Sequence, residues 1–225
     1  LKVMQSFGTH TMVFSSSATI YGNPLNDFIN ENDEIKPVNP YGSTKAVVEG
    51  ILDDLYESDK NKWKIANLRY FNAIGAHYSG LIGEDPHEIP NNLFPLITLV
   101  ANKKVKELSI FGNDWPTKDG TCIRDYIHVM DLAEAHVATL EYLKNEVPQN
   151  ISINIGTGKP KKIKNVIEKI KIISKGGLPQ YGQFKQRKFE VPILYPNIKK
   201  AKKQINWTPK VNFEKGLKKT INSYK

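Results

Sequence analysis

A single cysteine, Cys122, stands in 225 residues. With no second thiol the chain holds no internal disulfide, and a metal site built on cysteines is excluded. No apolar run approaches the roughly 18 residues of a membrane span, and the sequence has neither a low-complexity tract nor an internal repeat. It also does not open with a charged-then-apolar leader ending in a small-residue cleavage site. These absences, with 40% apolar and 24% charged residues, point to a globular protein of the reducing cytoplasm that does not engage a membrane. The length suits one large domain or two small ones.

Acidic residues are scarce in the last third. From Lys159 to Lys225, 19 Lys and Arg face 3 acids, a balance of +16; the residues before carry 13 against 20, or −7, which together give the net +9. A basic tail of this kind can hold nucleic acid. Its lysines, however, alternate with Ile, Val and Leu at helical spacing ("KKIKNVIEKIKIIS"), as on the solvated outer face of a packed helix. No nucleic-acid partner is expected.

Strand and helix patterns alternate along the chain. A last helical turn stops at Gly8 and leads into a buried strand "TMVFSS", so the chain reads as beginning in mid-domain. A helix is expected from about Pro40 to Glu57, then a strand "KIANLRYF", a loop over 72–91, a helix near 92–102 and a strand "LSIFG". Beyond a turn-rich stretch (113–121) come a helix over 130–144 announced by Asp131, a strand "SINIG", the basic helix 163–174, and closing helices at 197–205 and 213–223. Such alternation with short connections predicts a parallel sheet covered on both faces.

The helix at Pro40 opens with "NPYGSTK". Four residues separate Tyr41 from Lys45, which puts both on one helix face, one turn apart, where their polar ends can meet. A lysine ammonium about 4 Å from a phenol favours the phenolate by roughly 4 kcal/mol at an effective dielectric near 20, before desolvation takes its share. Such a pair can act as acid and base near neutral pH, helped by the positive end of the helix. Upstream, the serine cluster of "FSSSATIYG" ends a strand, and the carboxyl ends of strands are where open α/β sheets bind ligands. A serine hydroxyl there can bridge the phenol and a substrate oxygen. An alcohol that loses both proton and hydride becomes a ketone, so a nicotinamide acceptor is implied.

The runs "FSSSATIYG", "NPYGSTKAVVE", "LRYFNAIGAH", "GEDPHEIPNNLFP", "IFGNDWPTKDGTCIRDYIHVMDLAEAH", "INIGTG" and "NWTP" resemble UDP-glucose 4-epimerases, of the extended short-chain dehydrogenase/reductase family, over almost the whole chain. The resemblance implies a bound NAD that takes hydride from C4 of a UDP-hexose and returns it to the opposite face. It makes Tyr41 the acid/base, Lys45 its tuner and a contact of the nicotinamide ribose, and Ser17 the hydrogen-bonding partner. Tyr70 is implied to lie by the nicotinamide. Asn72, Asn92 and Leu93 would hold the UDP-sugar, Phe111 would lie by the uracil, and Arg124 would grip the diphosphate, unless it is simply a structural ion pair with Asp125. His128 and Asp131 read as a structural histidine beside a helix-capping aspartate, not as a metal site.

The implied fold is a truncated, Rossmann-type, doubly wound parallel sheet with a smaller α/β substrate-binding domain. Residues 1–72, with 128–156 returning, form the C-terminal part of the NAD-binding domain; 73–127 and 157–225 form the UDP-sugar domain. The family's glycine-rich turn G-x-x-G-x-x-G, which carries the NAD pyrophosphate, has no counterpart in this sequence. The 225 residues therefore read as the C-terminal portion of an epimerase, inactive alone. In a late phosphate motif, "QRKFEVP", Arg187 fits the family's arginine, Glu190 stands where an aspartate usually binds a ribose hydroxyl, and Phe189 replaces a glycine, which puts uridine recognition by this loop in question.

Two rivals stay open. A nucleotide-sugar 4,6-dehydratase would carry an Asp-Glu pair where this chain has Ala18 and Thr19, because eliminating water needs an extra acid and base. A non-catalytic sugar-nucleotide-binding remnant is the other. Sugar specificity is open as well, since the family's size gate falls at Leu194 or Tyr195. A homodimer is implied through the helix bearing Tyr41, with Val48, Leu52, Leu55 and Tyr56 as candidate contacts.

Overall fold

The computed structural model describes residues 1–225 except 25, 27, 84–92, 102–104, 106, 175–177 and 224–225. The first half runs α1 (Lys2–Ser6), β1 (Thr11–Ser17), a 3-10 turn (Ala18–Tyr21), α2 (Pro40–Ser58), β2 (Lys64–Tyr70), β3 (Asn72–Ile74), α3 (Leu93–Ala101) and β4 (Glu107–Phe111). Then come β5 (Ile123–Arg124), β6 (Tyr126–His128), α4 (Val129–Asn145), β7 (Gln149–Ile155), β8 (Lys161–Lys162) and α5 (Ile163–Ser174). The chain closes with β9 (Leu178–Phe184), β10 (Ile193–Leu194), α6 (Lys199–Gln204) and α7 (Phe213–Ser223).

The principal sheet is parallel, in the order β1-β2-β7. β2 is its centre, and Ile65, Ala66 and Leu68 are fully buried there, as a strand covered on both faces requires. Period-2 alternation along β1 sorts its side chains between two cores. Met12 and Phe14 pack with Leu52, Trp63 and Ile65 under α2, while Val13 packs with Leu68, Leu132, Ile153 and Trp207 under α4 and α6. This is the Rossmann-like α/β arrangement that the alternating pattern predicts.

Smaller sheets carry the rest. β3 pairs with β6, β4 with β9, and β10-β5-β8 form a third group in which only the β5–β8 pairing is antiparallel. α3, α5 and α7 enclose a further core of Phe94, Ile110, Tyr126, Ile167 and Leu217. The basic helix α5 buries Val166, Ile167 and Ile170 and leaves its lysines outward, so its periodicity is that of a packed helix.

Candidate active site

Three strand or helix ends converge. β1 ends at Ser17 and β2 at Tyr70, and these two are backbone partners on the last rung of the sheet. α2 begins beside them: Asn39 Oδ1 accepts the Gly42 N–H at 2.8 Å, and Pro40 sits in the first turn, where its missing N–H costs nothing. Gly42 lies so close to the 3-10 turn that a Cβ there would stand 2.7 Å from Thr19 O. The glycine thus lets the N-terminus of α2, with Tyr41, press onto the residues following Ser17.

Tyr41 and Lys45 share a face as their spacing predicts, but their polar ends do not join. Lys45 Nζ donates to Ser15 O at 2.8 Å and lies 5.6 Å from the centroid of the Tyr41 ring. Tyr41 is 52% exposed and faces a cavity of about 560 Å³. Ser17, Tyr41, Tyr70, Asn72, Leu93, Phe111, Arg124, Arg187 and Glu190 all line that cavity. Lys45 stands behind it, reaching the backbone of β1, and Asn92 lies outside the described residues. Thr19, Trp115 and Cys122, which sequence reasoning did not assign to the site, line it too. Burial pushes the Cys122 thiol up to about 11.

The side of the cavity around Arg124 is held by short elements that periodicity could not reveal. Arg124 ends the two-residue β5; its Nη2 donates to Glu190 Oε1 at 2.6 Å and to Val191 O at 2.5 Å, and its Nη1 to Ile123 O at 2.8 Å. The ion pair of Arg124 is therefore with Glu190 and not with the neighbouring Asp125. Asp125 instead accepts from Thr157 N at 2.8 Å, Thr157 Oγ1 at 2.9 Å and Lys159 N at 3.1 Å, tying the "IGTGK" loop to β5. The register of the β4–β9 pairing shifts between Ile110 and Phe111, as at a β-bulge. The Arg187 guanidinium stacks on the Phe111 ring, 4.1 Å from its centroid. Phe189 has φ +63, the left-handed region that favours glycine, at a cost of roughly 1–2 kcal/mol; this suits the glycine that the resemblance implies at the position.

Two other expectations are corrected, at the start of α4 and on α2, and the residues left open for the size gate are placed. His128, not Asp131, caps α4: its Nδ1 accepts the Met130 N–H at 3.2 Å, while Asp131 accepts from Lys210 N at 3.0 Å and Val211 N at 2.9 Å and so anchors the approach to α7. Leu194 is buried against Ala18, Tyr21 and Phe71, and neither it nor Tyr195 lines the cavity. Leu52, with Val48, Leu55 and Tyr56 packed in the same cluster, faces the sheet; besides Tyr41, the large apolar side chains that α2 exposes are Val47 and Ile51.

A buried polar network backs the site. Arg69 of β2 donates from Nε and Nη2 to the Glu49 carboxylate, with the shortest contact 2.6 Å, and from Nη1 to Tyr21 Oη at 3.0 Å; Ser16 Oγ donates to Glu49 Oε1 at 2.5 Å. Glu49 lies one turn beyond Lys45, so this pair fixes the face of α2 that carries Tyr41 against the ends of β1 and β2.

The family model described as GDP-mannose 4,6 dehydratase matches residues 1–220. The UDP-glucose 4-epimerase of Bacillus subtilis is 44% identical over 213 residues, covering 95% of this chain and 62% of that protein; the human UDP-glucose 4-epimerase is 41% identical over 219 residues, 96% and 61%. The chain thus spans about three fifths of the length of these curated relatives. Among solved structures, the UDP-glucose-4-epimerase of Stenotrophomonas maltophila with bound NAD and formylated UDP-arabinopyranose superposes with a TM-score of 0.93 at 37% identity, covering 99% of this chain and 66% of that one. The Bifidobacterium longum UDP-glucose 4-epimerase in complex with NAD+ and UDP gives 0.91 at 37%, covering 99% and 65%. The chain belongs to the extended short-chain dehydrogenase/reductase family, and within it resembles the UDP-glucose 4-epimerases.

Proposed function

We propose that this chain forms the substrate side and the proton-transfer site of a UDP-glucose/UDP-galactose 4-epimerase. The observation that carries the reading is the gathering of Ser17, Tyr41, Tyr70 and Asn72 with Phe111, Arg124, Arg187 and Glu190 around one cavity. Aromatic and guanidinium groups suit a pyrimidine and a diphosphate, and the hydroxyls suit a hexose. Tyr41 Oη takes the proton of the sugar's C4 hydroxyl and later returns it. Lys45, with one of its three N–H donors on Ser15 O, keeps two for a ribose hydroxyl and holds a positive charge beside the phenol. Arg124 exchanges Glu190 for the diphosphate, and Glu190 is then freed for a ribose hydroxyl. A base stacking on the face of Phe111 that Arg187 covers has to share or displace that guanidinium.

NAD is the proposed cofactor because Lys45 and Tyr70 supply donors and a ring for its nicotinamide riboside half; when bound, it would accept hydride from the sugar and give it back. The 225 residues contain no glycine-rich turn for the pyrophosphate. The proposal is that by themselves they hold UDP-hexose without turning it over. A 4,6-dehydratase is disfavoured because Ala18 is buried and Thr19 is a hydroxyl, so no carboxylate pair stands beyond Ser17. A homodimer through the Val47–Ile51 face of α2 completes the reading. The test is a coupled assay of UDP-galactose conversion with excess NAD, on the chain alone and on a fusion carrying the part of the Bacillus subtilis relative that this chain does not cover. Conversion by the fusion and not by the chain alone is expected; a fusion that binds NAD and converts nothing contradicts the proposal.

A further inference from the structure

Thr19 stands where a dehydratase would place a carboxylate, yet it is far from inert. Ser17 caps the 3-10 turn, and both of its close partners belong to Thr19. The Thr19 backbone N–H donates to Ser17 Oγ at 3.3 Å, and Thr19 Oγ1 lies 2.9 Å from the same atom, within reach to donate to it. A serine hydroxyl has two lone pairs and one hydrogen. When both Thr19 groups donate, the two lone pairs are taken and the Ser17 hydrogen is what remains for anything in the cavity. Thr19 itself is held from the other side, where its carbonyl lies against Gly42, the residue after Tyr41. One residue therefore touches Ser17 and the helix start that carries Tyr41.

We propose that Thr19 is a positioning residue that fixes Ser17 Oγ as a hydrogen-bond donor into the cavity, aimed at the C4 oxygen of the bound hexose. This rests on the reading of the cavity as a UDP-hexose site. Under it, Ser17 keeps its own hydrogen throughout and carries no proton between sugar and phenol. The C4 hydroxyl gives its proton directly to Tyr41 Oη while its oxygen accepts from Ser17. The arrangement works equally well for both C4 epimers, because a donor asks only for an oxygen lone pair and not for a particular direction of the sugar O–H.

Calorimetric titration of the 225-residue chain with UDP-glucose, and with UDP as the probe that lacks a sugar, tests this. Thr19→Val keeps the shape and removes the Oγ1 donor, so it is expected to weaken UDP-glucose by about fivefold, the worth of one hydrogen bond, and UDP by less than about twofold. Thr19→Ser restores the donor and is expected to bind UDP-glucose within about twofold of the parent. Ser17→Ala is expected to show the same selective loss, and adding Thr19→Val to it to cost nothing more, since the two residues act through one hydrogen. If Thr19→Val does not fold, Thr19→Ala carries the same expectation. Losses at 17 and 19 that multiply, an equal loss for UDP, or undiminished UDP-glucose affinity in Thr19→Val would each overturn the inference while leaving the cavity's assignment standing. Failure of the parent chain to bind UDP at all would overturn both.

Discussion

At the scale of single residues, Arg124 has a part in the fold beside the ligand role proposed for it. Arg124 is buried and donates to three carbonyls and to Glu190, so it carries part of the stability of the β5–β10 contact as well as the charge proposed for a diphosphate. Arg124→Lys keeps the charge and loses the planar fork. It is expected to lower UDP affinity by roughly 1–2 kcal/mol and also to lower Tm, read by calorimetry and thermal melting. A fall in Tm with unchanged UDP affinity would leave Arg124 a purely structural residue. Cys122 gives a pH readout of the same cavity. Burial raises its thiol to about 11, so the reactive thiolate is scarce below that pH and grows roughly tenfold per pH unit as pH rises toward it. Alkylation by iodoacetamide at pH 8 is expected to run about a hundredfold slower than for a free thiol, and slower still with UDP-glucose present. Fast alkylation that is indifferent to UDP-glucose would place Cys122 outside the ligand's reach.

At the scale of elements, long periodic segments could be read from sequence and short ones could not. α2 was expected over 40–57 and runs Pro40–Ser58, because Asn39 and Pro40 are strong local start signals; β2 and α5 also fall where their buried faces predict. β3, β5, β6, β8 and β10 are two or three residues long and hold their place through pairing with distant segments, for which local sequence has no period. The site residues followed the same division. Tyr41 and Lys45 carry a spacing with a mechanism. Thr19 and Cys122 have none, and Arg124 paired with Glu190 across 66 residues, not with its neighbour Asp125. The contact of α2 with the 3-10 turn yields a prediction against helix propensity. Gly42→Ala would gain about 1 kcal/mol in an exposed helix, but here the Cβ would stand 2.7 Å from Thr19 O and 3.0 Å from Pro37 Cβ. The substitution is expected to destabilise by about 1–3 kcal/mol and to lower Tm accordingly. A higher Tm would show that α2 and the turn are not in the close contact described.

At the scale of the whole molecule, the parallel sheet, the buried Glu49–Arg69 pair and the β3–β6 strands place one cavity between the ends of β1 and β2 and the segments around Arg124. The exposed stripe of α2 gives the molecular-scale prediction. Val47 and Ile51 are 62% and 49% exposed, and the proposed dimer buries them against a second copy. Sedimentation at tens of micromolar is expected to show a dimer that Ile51→Lys converts to monomer; a monomer in both cases would remove the dimer from the account. The central claim is that Tyr41 exchanges a proton with the sugar, and UDP-galactose turnover in the fusion carrying the rest of an epimerase measures it most directly. Tyr41→Phe is predicted to lower that turnover by at least about a hundredfold, the usual share of general acid/base catalysis, with UDP affinity and Tm unchanged; turnover within about fivefold of the parent would contradict it.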